Sequence, residues 1–220
     1  MRGDMRVLLC RRLSWAAVRI GGMAPDNAGV MAAIDDEDGT GMGEYFQRIV
    51  DLQASDEEAD ELGASVLAWL VDSGVVEATD RDYHDWPGGG YAPGPCYETA
   101  VVEPREELDL RWNNGLHVIT GRTVFYSDGV DAIACPHCQT AVAWGQLSDA
   151  IDEWYADGAG TRRCGGCGRV MGLNDWRWQP PWGFGYLGFE FWNWPPLAQG
   201  FITEVGRRLG HRTVLVAGKL

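Results

Sequence analysis

Two Cys-x-x-Cys pairs constrain what this chain can fold into more than any other feature. The pairs are Cys135/Cys138 and Cys164/Cys167, and residues 139–163 separate them. A Cys-x-x-Cys turn places two thiolates on one side of a metal ion, and two such turns complete a tetrahedral shell. Because four thiolates leave no open coordination position, the pattern predicts one structural Zn²⁺ with these four cysteines as ligands.

The segment between the pairs is longer than the roughly 15–20 residues typical of such sites. Its middle part, residues 146–155, predicts a short amphipathic helix, because its apolar residues recur at helical spacing. Residues 135–168 therefore resemble a zinc-ribbon or rubredoxin-like knuckle module with a helix inserted between its knuckles. The resemblance implies a metal site, but it covers a small part of the chain and implies no particular function.

A second interpretation considers the first pair alone. Cys135-Pro136-His137-Cys138 resembles the active-site tetrapeptide of thioredoxin-fold disulfide oxidoreductases, which implies a thiol of depressed pKa and an oxidising disulfide. In that fold a long helix follows the pair, whereas Gly145 interrupts any continuous helix here. The second pair would also have no role. The sequence favours the metal site and keeps the oxidoreductase as an alternative.

The first half of the chain predicts a helical hairpin after an extension, residues 1–30, that we expect to be poorly ordered. Apolar residues within 43–53 suggest the first helix. The second helix begins at a capping box formed by Ser55 and Glu58, and Gly74 is a natural stop. Together these features predict that an acidic, helical part precedes the sheet.

A Gly/Pro-rich loop, residues 82–98, precedes alternating segments that predict an antiparallel meander. A helix at about 198–209, ended by Gly210, and a buried strand predict the C-terminal structure. The fold class is therefore α+β, with a main domain formed by residues 31–134 and 176–220 and a zinc-ribbon-like insert at 135–175. The expected strands of the meander are 108–112, 116–120, 122–126 and 130–134.

Residues 175–196 form an aromatic run in which tryptophan recurs. One interpretation places these rings in the core, where they pack the helices and the metal module together. The other makes them an exposed patch, since Trp and Tyr dominate the energetics of protein interfaces. The candidate partner-binding residues are Trp182, Tyr186, Trp192 and Trp194.

The charge of the chain limits its partners. With 32 acidic and 18 basic residues its net charge is −14, which disfavours nucleic acid and fits a basic protein partner. No segment approaches the ~20 apolar residues that span a membrane. The paired cysteines suggest a reducing cytoplasm, and Cys10 and Cys96 show no partner pattern. Lys219 is the only lysine, a bias typical of a GC-rich, bacterial genome.

Motifs for catalysis are missing from the sequence. It contains no phosphate-binding G-x-x-x-x-G-K-[ST], no H-E-x-x-H and no G-x-S-x-G, and His84 between two aspartates is expected in an exposed loop. We therefore expect a zinc-stabilised, non-enzymatic interaction protein, with an inhibitor or immunity protein as a type that fits the charge. The alternatives are the oxidoreductase and a nucleic-acid-associated zinc ribbon that uses Arg162, Arg163 and Arg169.

Overall fold

The structure, a computed structural model, describes residue 10 and residues 44–79, 90–104, 114–127 and 129–219. Within these residues the chain forms three helices and ten strands. The helices are α1 (Asp56–Asp72), α2 (Ser148–Asp157) and α3 (Gln199–Leu209). The strands are β1 (Tyr45–Asp51), β2 (Val76–Ala78), β3 (Tyr91–Pro93), β4 (Gly115–Phe125), β5 (Ala132–Ala134), β6 (Thr161–Arg163), β7 (Val170–Gly172), β8 (Arg177–Gln179), β9 (Gly183–Trp192) and β10 (Thr213–Lys219).

A six-stranded sheet in the order β10-β1-β9-β4-β3-β2 forms the main layer, and all of its pairs are antiparallel. Helices α1 and α3 contribute to one core with the sheet. Alternate residues of β9, among them Leu187, Phe189 and Phe191, join buried residues of both helices in this core. Because side chains alternate between the faces of a strand, these three residues share the helix-covered face.

The sequence correctly predicts the capping box at the start of α1 and the glycines that follow α1 and α3. In α1, Ser55 caps the N-terminus, with its Oγ 2.8 Å and its backbone nitrogen 3.2 Å from Glu58 Oε2. Gly74 follows the helix with φ +72°. Helix α3 stops at Gly210, which has φ +73°, a left-handed conformation that glycine adopts without a Cβ penalty.

The predicted helical hairpin is wrong, because residues 43–53 contain strand β1 and not a helix. Strand β1 lies inside the sheet between β10 and β9, and Phe46, Ile49 and Val50 are buried. A short apolar run that is buried on both faces cannot be told from a helix by its periodicity. The buried side chain of Gln47 donates to the carbonyls of Trp194 and Pro195, a contact with no sequence signal.

The sheet is antiparallel, as expected, but the strand order and the pairings expected for the meander are wrong. Residues 116–120 and 122–125 belong to one strand, β4, in which the register shifts between Thr120 and Thr123. Gly121, with φ +91°, therefore marks a bulge and not the end of a strand. The expected strand 130–134 contains β5, which pairs with β8 outside the main sheet. Strand β4 pairs with the distant β9, and residues 108–112 lie outside the described part of the chain.

A disulfide joins Cys10 to Cys96, two cysteines for which the sequence shows no partner pattern. Their separation of 86 residues gives no local pattern for a sequence-based prediction. Disulfides are typical of oxidising compartments, so this bond does not support the cytoplasmic location, which stays a prediction. Residues 1–30, apart from Cys10, lie outside the described residues.

Candidate metal centre

The four paired cysteines meet at one point. Their sulfurs all lie within 4.8 Å of one another, with Cys135 Sγ 3.8 Å from Cys167 Sγ and Cys138 Sγ 3.6 Å from Cys164 Sγ. In a tetrahedron with metal–sulfur bonds of about 2.3 Å, neighbouring sulfurs lie about 3.8 Å apart. The two distances fit this value, and all four thiols are free. The cluster could therefore hold a metal ion of tetrahedral preference.

Both knuckles have the same backbone structure. The amide of the first cysteine donates to the carbonyl five residues later, from Cys135 to Thr140 and from Cys164 to Arg169, at 3.0 and 2.7 Å. The amide four residues after that cysteine donates back to it in both knuckles, at 3.0 and 2.9 Å. The residue in this place has a positive φ, 60° at Gln139 and 73° at Gly168. Two turns of one shape thus meet around the sulfurs.

Gly166 allows the knuckles to approach each other. A Cβ at this position would collide with the hydroxyl of Thr140 and lie 3.1 Å from Cys138 Sγ. The neighbouring Gly165 has nothing within 4 Å of its own Cβ position. Of the two glycines between Cys164 and Cys167, only Gly166 is therefore required by its surroundings.

Hydrogen bonds lower the pKa of two of the four thiols. The hydroxyl of Thr140 lies 3.1 Å from Cys138 Sγ, and its hydroxyl and amide lower the pKa of that thiol to about 6. The amide of Cys167 lowers the pKa of Cys164. The amide of Arg169 acts in the same sense on Cys167, but burial and the neighbouring thiols raise the pKa of Cys167 to about 11. Because the thiolate is the form that binds a metal, the lowered pKa values of Cys138 and Cys164 favour metal binding by these two thiols.

A small core of its own supports the cluster. Strands β5 and β8 pair beside the first knuckle, and β6 and β7 form a hairpin around the second. The predicted helix between the pairs is confirmed as α2, which begins slightly later than expected, at Ser148. Its buried Ala150 and Trp154 pack with Cys135 and Cys164 in this core. We call residues 132–179 the metal module.

The metal module is fastened to the end of the sheet by Asn174. Its side chain donates to Phe184 O at 2.6 Å, accepts from Phe184 N at 2.9 Å and donates to Leu52 O at 3.3 Å. Trp154 also packs edge-on against Phe184. The side chain of Asn174 thus satisfies both backbone groups of Phe184 in β9, as the main chain of a neighbouring strand would.

The structure gives little basis for the oxidoreductase interpretation. In that fold a helix starts directly after the first Cys-x-x-Cys pair, whereas here the chain turns back and α2 begins only at Ser148. The Nδ1 atom of His137 lies 2.9 Å from Arg169 Nη1 and therefore contacts a guanidinium and not a thiol. The geometry therefore favours all four cysteines acting together.

The candidate aromatic residues divide into two groups. Trp192 and Trp194 are buried, and Trp194 packs against Phe191 and Tyr97. An anchor role would need an exposed ring, which these two lack. Trp182 and Tyr186 are half-buried, and Arg122 Nε donates to the Tyr186 hydroxyl at 3.0 Å. The aromatic run is thus mostly core, with an accessible part near Trp182.

The arginines that the nucleic-acid alternative invokes lie beside the second knuckle. Arg162 pairs with Glu153 at 2.8 Å. Arg163 donates to Gly168 O, and Arg169 contacts His137. Arg163 and Arg169 thus contact the knuckles, whereas the charge of Arg162 is balanced by Glu153.

Two polar contacts of the sheet escape prediction from the sequence. Asp51 is fully buried and accepts from the amides of Gln53 and Ala54, at 2.8 and 3.0 Å, and lies 2.8 Å from His211 Nδ1. Glu190 pairs with Arg48 across β9 and β1. A polar residue inside an apolar run was the only available signal for either contact.

No protein-family model, no curated protein and no solved structure matches this chain. Among the described residues, no helix is both long and apolar enough to cross a bilayer. The interpretation of the metal centre therefore rests on its own geometry.

Proposed function

We propose that this chain is a zinc-binding, non-enzymatic interaction protein whose four-cysteine site is structural. The observation that carries the proposal is the spacing of the four sulfurs, which fits a tetrahedral ion. Zinc is the metal that four thiolates in two knuckles bind most commonly in proteins. Cys135, Cys138, Cys164 and Cys167 would fill its shell and leave no position for a substrate.

The distribution of charge supports a basic protein partner. The first turn of α1 carries Asp56, Glu57 and Glu58, and all three are exposed. Asp149, Asp152 and Glu153 are exposed on α2. A surface of this kind attracts a cationic protein and increases its rate of association. The accessible aromatic residues near Trp182 would supply the apolar contact that charge alone does not give.

Native mass spectrometry of the reduced protein, purified from its own host, tests this proposal. We expect a mass increase of one zinc ion per chain together with a stoichiometric basic protein. A metal-free folded chain would refute the zinc site. A zinc-loaded chain that binds no protein would refute the interaction function and leave the site standing.

A nucleic-acid-associated zinc ribbon is the second candidate, favoured only by the arginines beside the second knuckle. Binding to DNA or RNA that weakens steeply with salt would support it. The acidic surfaces of α1 and α2 oppose a phosphate backbone, which is why we place it second.

A further inference from the structure

Two exposed aromatic rings share a cavity between the sheet and the metal module. Tyr126 follows β4 and is 50% exposed, and Trp144 lies between the knuckles and is 47% exposed. Both line a cavity of about 410 Å³ together with Ser127, Gly129, Val130 and Trp182. Its volume lies within the roughly 300–1,000 Å³ of ligand pockets.

The rings form inclined walls and not one flat stack. The centroid of Tyr126 is 5.1 Å from that of Trp182, with the planes 30° apart. The centroid of Trp144 is 5.5 Å from that of Trp182, with the planes 67° apart. Trp182 is fixed from below by Trp178, whose ring stacks on it at 15°. Three inclined aromatic rings thus line the cavity, and stacking on Trp178 holds the ring of Trp182 in place.

The charge around this cavity suits a cation. Among the described residues that line it, none is basic, and the whole chain carries a net charge of −14. Arg48 donates to the carbonyl of Tyr126, but Glu190 balances its charge. An aromatic face attracts a cation through its quadrupole, and more strongly where water is displaced.

We propose that this cavity binds an arginine side chain of a basic partner protein. The inference rests on the proposed function, because it names the group by which the partner would be held at Trp182. Arginine fits better than lysine, since a guanidinium is planar, weakly hydrated and stacks on rings. The chain uses the same contact internally, with Arg48 over Phe46 at 3.9 Å and Arg208 over Trp69 at 4.1 Å.

The metal module positions one wall of the cavity. The segment before Trp144 is tied to β5 by a bridge between Ala141 and Ala134 and by a hydrogen bond of 2.8 Å from Val142 N to Ile133 O. Strand β5 leads directly to Cys135. Loss of the metal should therefore displace Trp144 and weaken binding in the cavity.

Binding of single amino-acid derivatives tests the proposal without knowledge of the partner. Nα-acetyl-arginine amide is titrated into the zinc-loaded protein while the indole N–H signals of Trp144 and Trp182 are followed by NMR. The matched probes are Nα-acetyl-citrulline amide, which has nearly the same shape without the charge, and Nα-acetyl-lysine amide. We expect the arginine derivative to shift both signals and to bind about tenfold more tightly than citrulline.

Two variants, one inside the cavity and one outside it, test whether arginine binds in the cavity. Trp144→Ala should weaken arginine binding about tenfold. The variant should remain folded because this ring is exposed, and circular dichroism checks its folding. Tyr155→Ala is the control, since this ring is 64% exposed and does not line the cavity. It should bind arginine like the unchanged protein.

Equal binding of arginine and citrulline, or equal loss in both variants, would overturn the proposal. So would the absence of any shift in protein shown by its mass to contain zinc. Because zinc and partner content are measured on the same samples, this failure is distinct from failure of the proposed function.

Discussion

The main sheet and the metal module are stabilised by different means. The central strands of the sheet are long, with ten residues in β9 and eleven in β4, and two helices bury one of its faces. The strands β5 to β8 of the module have three residues each and form two-stranded ladders. Isolated two-stranded ladders are marginal in water, so the module depends on something other than its strands.

This difference indicates that metal binding would stabilise the metal module more than the main sheet. The core of the sheet is continuous and apolar, and burial of that kind supports folding without help. In the module, Cys135 and Cys164 are themselves part of the core. Metal binding of this type contributes a free energy on the order of 10 kcal/mol, and we expect the module to need it.

Removal of one ligand should have the largest effect. Cys164→Ser should abolish zinc binding and open the module, because three thiolates and a serine hydroxyl hold zinc poorly. Hydrogen exchange followed by mass spectrometry should show rapid exchange in 132–179 and continued protection in β1 and β9. Treatment of the unchanged protein with a chelator should reproduce this pattern, and full protection of the module after chelation would contradict it.

A large-to-small substitution in the core of the main sheet should have the opposite effect, which is a loss of stability without a loss of zinc binding. Phe189 is fully buried beneath α1 and α3, and Phe189→Ala should lower the free energy of unfolding by about 3–5 kcal/mol. Urea denaturation measures the loss. The zinc content of the folded variant should not change.

Val71→Ala is the matched control, because Val71 is exposed on α1. Its free energy of unfolding should stay within about 0.5 kcal/mol of the original. An equal loss in both variants would mean that the described core does not carry the stability of the sheet.

Alanine substitutions at the two glycines between Cys164 and Cys167 should have different effects on zinc binding. In Gly166→Ala the new methyl group forces Thr140 away from Cys138, so zinc affinity should fall about tenfold, as it does when a partner of a metal ligand is removed. Gly165→Ala has free space and should bind zinc normally. Competition with a chromophoric chelator measures both affinities, and equal values would show that the knuckles are not packed as described.

The left-handed residues of the knuckles should give the smallest effect. Gly168→Ala should lower the stability of the zinc-loaded protein by about 1 kcal/mol, because an L-residue with this φ is strained. Gln139→Gly should change it by only a few tenths of a kcal/mol, since relief of strain is offset by the freedom of glycine in the unfolded chain. Thermal denaturation measures both, with Gly165→Ala as the reference.

Local signals in the sequence predicted the local parts of this molecule. The capping box at Ser55, the stop at Gly210 and the helix between the cysteine pairs depend on residues a few positions apart, and all three are present. Strand β1 was mistaken for a helix because its identity depends on β9 and β10, which lie more than a hundred residues away. The convergence of the four cysteines was predictable, whereas the cavity at Trp182 needed the spatial positions of β4 and the module.

The bond between Cys10 and Cys96 has a consequence for how the protein matures. The same chain contains one pair of thiols oxidised to a disulfide and four thiols that are free. An oxidant that reaches the chain first can pair Cys135 with Cys138 by thiol–disulfide exchange, whereas coordinated thiolates are shielded from it. If the four cysteines bind zinc as proposed, we expect zinc binding to protect their thiols while Cys10 and Cys96 are oxidised.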